Sequence, residues 1–163
     1  MPPMATRMTH TQMPALRAAT SADLAAITRL LVASKLPIEG VSDILGASPT
    51  DFVVAEDPDV QGELVAVGGL ERCESDALLR SVAVREAWRT HGLGRALIDQ
   101  LFERARARQC RALYLLTTTA EDYFPRFGFA RIDRSLAPPA IAATNEFTGA
   151  CPAGATLMIT TLE

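Results

Sequence analysis

Leu78-Leu79-Arg80-Ser81-Val82-Ala83-Val84 runs through Arg85 to Trp88 into Arg89-Thr90-His91-Gly92-Leu93-Gly94-Arg95. The first half is a mostly aliphatic run of strand character. The second half carries two glycines and opens a long amphipathic stretch. Leu93, Leu97, Leu101 and Ala105 fall on one helical face, and Ile98 and Phe102 widen it. A strand, a tight turn and a helix start in that order make a local anion site. The first turn of a helix has unpaired backbone N–H groups and a partial positive charge. Glycine lets a phosphate approach that backbone closely. Arg89 and Arg95 can add charge-assisted contacts to the phosphate oxygens. Two familiar nucleotide fingerprints fit poorly. A P-loop needs Gly-Lys-Ser/Thr, where the chain has Gly94-Arg95-Ala96, and GxGxxG needs a third glycine where Leu97 stands. The pair of glycines also reads as a plain tight turn.

Upstream, Ala15-Leu16-Arg17 reads as a short first strand. Thr20 offers an N-cap with Asp23 as its capping-box partner. Leu24, Ile27, Leu30 and Leu31 predict an amphipathic helix over 21–34, stopped by Pro37. Val41, Ile44 and Leu45 suggest a second short helix before Pro49. Phe52 to Ala55, Leu64 to Leu70 and Leu78 to Val84 read as three strands of an antiparallel meander. Downstream, Leu113 to Leu116 reads as a buried parallel strand reached by a right-handed crossover. Ala120 to Phe127 reads as a short helix ended by Gly128. Phe129 to Ile132 is a further strand, Pro138 to Thr144 a loop or short helical stretch, and Ala155 to Leu162 the last strand. The expectation is one α/β (α+β) domain over 14–163: a mixed, mostly antiparallel sheet with helices on both faces. Residues 1–13 read as a flexible tail, with no apolar core of a signal peptide. No internal repeat or linker interrupts the rest.

Composition narrows the function. Apolar residues make up 48% of the 163, enough for a real core, which excludes wholesale disorder. The net charge is -3 with a pI near 5.4, and no long basic run exists, so neither nucleic acid nor a membrane surface is expected as partner. Arg104, Arg106, Arg108 and Arg111 cluster after the turn and read as a solvated helix face. Cys73, Cys110 and Cys151 are odd in number with no CxxC spacing, and His10 and His91 are the only histidines, so neither a disulfide framework nor a metal site is expected. No apolar run approaches the roughly 18 residues of a membrane helix. A reducing cytoplasm is the default location.

Three parts in order resemble the GNAT superfamily of N-acetyltransferases. They are Ser81-Val82-Ala83-Val84 before Arg89-Thr90-His91-Gly92-Leu93-Gly94, then Leu113 to Thr118, then Tyr123-Phe124-Pro125-Arg126-Phe127-Gly128-Phe129. The resemblance implies a sheet of about seven strands with a splayed cleft that takes acetyl-CoA as acetyl donor. Backbone groups of Val82, Ala83 and Val84 would pair with the pantetheine arm, and those of Thr90, His91, Gly92, Leu93, Gly94 and Arg95 would hold the pyrophosphate. Over most of the chain the sequence also looks like acetyltransferases associated with arsenic-resistance operons, through Leu78 to Val84, Tyr114 to Thr119, and Ile141 to Thr144 with Glu146-Phe147 and Cys151-Pro152. Its middle region is similar to the acetyltransferase domain of N-acetylglutamate synthases. Both point to a small-molecule amine as acceptor, an amino acid or its analogue. The same match allows acetylation of a protein amine, and a non-catalytic acetyl-CoA sensor.

An alkyl amine is protonated near neutral pH and must lose that proton before it attacks a thioester. Glu71, expected at a strand end near the cleft, is the candidate base; a solvated carboxylate is the alternative. Tyr123 is the candidate proton donor to the departing thiolate. It stands one residue before Phe124, the position that the family alignment on Gly128 selects, so it also reads as a rim tyrosine. Arg80, by strand alternation, is expected on the face of Val82. It needs an anion: a substrate carboxylate, or Glu71 or Asp76. Ser81 and Thr117 to Thr119 either line a water path or satisfy strand ends. Arg131 and Arg134 face acceptor or solvent. Cys73 and Cys110 read as ordinary small residues. The segment Pro138 to Glu163 is a candidate for pairing across a homodimer.

Overall fold

The computed structural model describes residues 13–90, 92–150 and 154–162. His91, Cys151 and residues 1–12 of the tail lie outside them. Seven strands form one sheet in the order β1-β2-β3-β4-β5-β7-β6. They are β1 Leu16–Ala18, β2 Phe52–Glu56, β3 Leu64–Cys73, β4 Asp76–Val84, β5 Ala112–Thr117, β6 Ala130–Ile132 and β7 Thr156–Thr161. All neighbours are antiparallel except β4 and β5, as the meander and the crossover require. Helices α1 Leu24–Ala33, α2 Val41–Ala47, α3 Leu93–Ala107 and α4 Pro139–Ala142 complete the regular structure.

Alternation along the strands sorts the core. Val53, Ala55, Ala77 and Leu79 pack with Leu93, Leu97, Ile98 and Leu101 of α3 on one face. Phe52, Val54 and Ala83 pack with Ile27, Leu31, Val41 and Leu45 of α1 and α2 on the other. Leu78, Tyr114 and Leu157 continue that second face under Ile141 of α4. The first helix is locally secured. Asp23 Oδ2 accepts from the Thr20 N–H at 2.8 Å and pairs with Arg17 at 2.8 Å, which ties β1 to the start of α1.

The sheet splits in its middle. β4 pairs with β5 only at Ala77 with Leu113 and Leu78 with Tyr114. Beyond those pairs the strands diverge into a V. The cause is on β4: Ser81 has φ 60, and the β3–β4 register slips between Val67 and Gly69. That bulge adds one residue to β4 and bends it away from its neighbour.

Three expectations change. The bulge reverses the alternation of β4, so Val82 and Val84 face α3 while Arg80 faces the α1–α2 side, opposite to the shared face that simple alternation gives. Glu71 does not end β3. The strand continues to Cys73, because a two-residue turn with Glu74 at φ 60 lets the hairpin close at Cys73 and Asp76. Ala120 to Phe127 is not one helix. It is a turn followed by a 3-10 turn, Phe124–Phe127, with Pro125 near its start and Gly128 ending it at φ 94. Pro125 lacks an N–H for a regular ladder and disfavours a helical conformation in the residue before it.

Candidate active site

The V opens into a cavity of about 750 Å³. One wall is β4 from Leu79 to Val84 and the other is β5 from Leu115 to Thr117. Gly92, Gly94 and Arg95 close one end; Ser34, Leu36, Pro37 and Glu146 approach the other.

The first end is an anion cradle built by local sequence. Buried Trp88 anchors a 3-10 turn, Glu86–Trp88, after β4. Arg85 donates to the Leu64 carbonyl at 3.0 Å and pairs with Glu63 at 3.0 Å, fixing the strand exit. The chain then turns through left-handed Thr90 (φ 73) and Gly92 (φ 82), so α3 starts at Leu93 aimed into the cleft. Its first-turn N–H groups lack intrahelical partners and sit at the positive end of a helix 15 residues long. Arg89 Nε donates to the Val84 carbonyl at 2.9 Å, so this side chain also closes the turn. Arg95 and Arg126 line the cavity, their guanidinium groups stacked 5.0 Å from the Phe127 centroid and 5.3 Å from the Tyr123 centroid. The donors and cations fit a ligand bearing phosphates.

Tyr123 reaches the same place from across the cleft. A Cβ built on Gly94 would lie 2.8 Å from its Oη, so only glycine lets the phenol and the helix start approach so closely. Phe124 is 8% exposed and belongs to the core, which leaves Tyr123 to carry a polar atom into the cleft. Because the segment is not a regular helix, a one-residue offset does not turn the side chain away. Among the described residues the hydroxyl has no hydrogen-bond partner. Burial pushes the phenol above its ordinary range, against the opposing pull of Arg126 and Arg95, so it stays protonated at neutral pH.

The other end is a buried ionic cluster. The Arg80 side chain is 0% exposed. Its Nε donates to Ser81 Oγ at 3.1 Å, Nη1 to Glu71 Oε1 at 3.0 Å and Nη2 to the Glu39 carbonyl at 2.7 Å. Nη2 also stands 3.4 Å from Glu146 Oε2. Of the two acids offered as protein partners, Glu71 is the one used. Glu71 does not line the cavity and reaches it only through Arg80. Ser81 serves Arg80, and Thr117 Oγ1 accepts from the Ala120 N–H at 3.0 Å, so both satisfy local groups.

Glu146 enters the sequence reading only as part of a resemblance, with no role in the site. It opens a π-helical turn, Glu146–Ala150, and is 4% exposed. An acid between Ile141 and Phe147 is the only local hint, and no periodicity assigns it a face. Residues 34–37 at the end of α1 gave no signal either. Other candidates fall outside the site. Arg131 pairs with Glu121 at 2.7 Å, and Arg134 stacks 4.4 Å from the Phe147 centroid while donating to the Ala155 carbonyl. Arg104 and Arg108 of the basic cluster tie α3 to Thr50. Cys73 and Cys110 are buried, and burial first, with Glu71 and Asp76 adding to it, pushes the Cys73 thiol up to about 12. Among the described residues no group of acids, cysteines or histidines could hold a metal, and no helix is long and apolar enough to cross a membrane.

Comparison with known proteins places this geometry. Residues 48–131 match the model of the acetyltransferase (GNAT) domain. An amino-acid acetyltransferase of Mycobacterium tuberculosis is 37% identical over 123 residues, which cover 74% of this chain and 70% of the relative. The crystal structure of Rv2747 from Mycobacterium tuberculosis, in complex with CoA and a second ligand, superposes with a TM-score of 0.74 at 29% identity, covering 92% of this chain and all of that one. A GNAT-family acetyltransferase from Staphylococcus aureus shares the fold at 14% identity, with a TM-score of 0.76, over 93% of this chain and 100% of its own.

Proposed function

The chain belongs to the acetyltransferase (GNAT) family and is an acyltransferase, and from that premise we propose that it moves the acetyl group of acetyl-CoA to the amine of a small, amino-acid-like molecule. One observation carries the reading: a single cleft joins an anion cradle at a helix start to a buried ionic cluster. The cradle suits the cofactor pyrophosphate. The open edge of β4 at Val82, Ala83 and Val84 suits the pantetheine arm, and Arg89 and Arg95 the phosphate charge. Holding both reactants in one V supplies much of the rate through orientation.

The bond changes are those of aminolysis. The amine nitrogen attacks the thioester carbon, the C–S bond breaks, and the sulfur leaves with the electron pair. Tyr123 gives its phenolic proton to that sulfur and regains one from the new amide nitrogen through water. Arg80 meets an anionic group of the acceptor. Glu71 holds Arg80 in place, so any part it has in amine deprotonation runs through that cluster or a water molecule.

The acceptor end is approached by Ser34, Leu36, Pro37 and Glu146, which favours a small molecule over a polypeptide. The named relative, an amino-acid acetyltransferase, supports the same class. Likeness to arsenic-resistance-operon enzymes adds phosphorus- and arsenic-containing amino-acid analogues to the candidates. The test is CoA thiol release with a panel of amino acids and these analogues. Saturable release with at least one is expected. CoA binding without release for any amine would overturn the reading in favour of a sensor.

A further inference from the structure

We propose that Arg126 recognises the phosphate on the adenosine ribose of CoA, and so makes the enzyme select CoA thioesters over donors that lack that group. The inference leaves the acceptor aside and needs only that the cleft takes CoA. That cofactor carries its phosphates in two places: a pair in the pyrophosphate and a single one on the ribose. On one side of the cleft, the start of α3 with Arg89 and Arg95 supplies N–H groups and positive charge for the pyrophosphate. Arg126 lines the cavity from another element, the 3-10 turn Phe124–Phe127, and is exposed there.

The charge of Arg126 is not spent within the protein. Among the described residues its side chain makes no hydrogen bond or ion pair, and its guanidinium lies over the Tyr123 ring, 5.3 Å from the centroid. Glu121, an acid of the same segment, is taken by Arg131 at 2.7 Å. A guanidinium held over a ring keeps its N–H donors for a phosphate and has less freedom to lose on binding. Arg95 is held in the same way over Phe127, at 5.0 Å, and the two rings meet edge-on with centroids 5.3 Å apart. Two cations set apart by a pair of rings suit two separate anionic groups better than one. Arg95 belongs to the helix whose start suits the pyrophosphate, which leaves Arg126 for the ribose phosphate. A donor carried on pantetheine phosphate alone has no partner for Arg126 and is disfavoured at binding, before any chemistry.

The test is calorimetric binding of CoA and of dephospho-CoA, which lacks only the ribose phosphate, to wild type, Arg126→Ala and Arg95→Ala, with no acceptor present. A charge-assisted contact at an exposed site is partly screened, so wild type is expected to prefer CoA about tenfold. R126A should bind CoA about tenfold more weakly and dephospho-CoA within about twofold of wild type, which removes the preference. Retained binding of dephospho-CoA also shows that R126A is folded. R95A should weaken both ligands by the same factor and keep the preference. Equal binding of the two ligands by wild type, or a preference that persists in R126A, would overturn the inference. A uniform loss in R126A would assign Arg126 to the pyrophosphate, and a preference lost in R95A would assign the ribose phosphate to Arg95; either result also overturns it. If wild type binds neither ligand, the acetyl-CoA reading falls with it.

Discussion

Gly94→Ala separates two jobs that one glycine performs. The position is helical, so alanine should stabilise α3 by about 0.5–1 kcal/mol through chain entropy. The new methyl would stand 2.8 Å from Tyr123 Oη, against the 3.4 Å of ordinary contact, so the phenol must withdraw by roughly 0.6 Å. Tyr123 is packed edge-on against Phe124 and Phe127, at 5.3 Å to each centroid, and has little room to do so. Overpacking of that kind costs about 1–3 kcal/mol. The net loss for G94A is then about 0–2 kcal/mol. In a Y123F background the oxygen is gone and the nearest remaining atoms, Tyr123 Cζ and Val84 Cγ2, lie 3.9 Å away. There the alanine should be stabilising. Urea unfolding of the four proteins measures the coupling, expected at about 1–3 kcal/mol; a value under about 0.5 kcal/mol would refute the close approach. Calorimetric CoA binding tests the other job. The methyl narrows the cradle whatever stands at 123, so affinity should fall at least about tenfold in both backgrounds. If G94A/Y123F binds CoA as Y123F does, the start of α3 is not the phosphate site.

Arg80→Ala removes the buried guanidinium that pairs with Glu71 and Glu146, and should cost about 3–5 kcal/mol in urea unfolding at pH 7. Tyr123→Phe should lower kcat by about 10- to 100-fold in the thiol-release assay. Burial raises the wild-type phenol, so its activity should decline only above the ordinary phenol value of about 10, a limb absent from Y123F. The linked stability has the same sign: it is present below about 10 and is lost as pH rises through the folded value. Asp23→Ala removes the clasp on Arg17 and Thr20 and should cost about 1 kcal/mol. The hydrogen bond from Arg17, opposed by burial, holds the Asp23 carboxyl low, so this stability is present above about 4 and fades as pH falls through the lowered folded value.

The two halves of the site differ in how far the sequence reveals them. The cofactor half is contiguous. Val82 to Arg95 form strand end, turn and helix start in one stretch, and each step has a local cause: aliphatic residues for the strand, glycine for the left-handed φ, apolar spacing for α3. Local rules suffice there. Tyr123 was harder, because helical periodicity was the wrong ruler for a segment that Pro125 keeps irregular.

The ionic cluster, the half proposed for the acceptor, is assembled from four separate segments: Glu39, Glu71, Arg80 with Ser81, and Glu146. What the sequence establishes is that an arginine on a central strand needs a partner. Whether it shares a face with Val82 then depends on one residue. Without a bulge, alternation would put Arg80 and Val82 on one face. With Ser81 left-handed, Val82 returns to the α3 face of Leu79, while Arg80 stays on the α1–α2 side, where Glu39 and Glu146 close around it. A left-handed serine leaves no mark in the sequence, unlike a glycine. The same residue opens the V between β4 and β5, so the bend that opens the cleft also parts Val82 from Arg80 across the sheet. Ser81 further accepts from Arg80 Nε at 3.1 Å, a bond that helps offset the strain of its own backbone. A single backbone irregularity therefore opens the cleft and sets Arg80 and Val82 on opposite faces of β4.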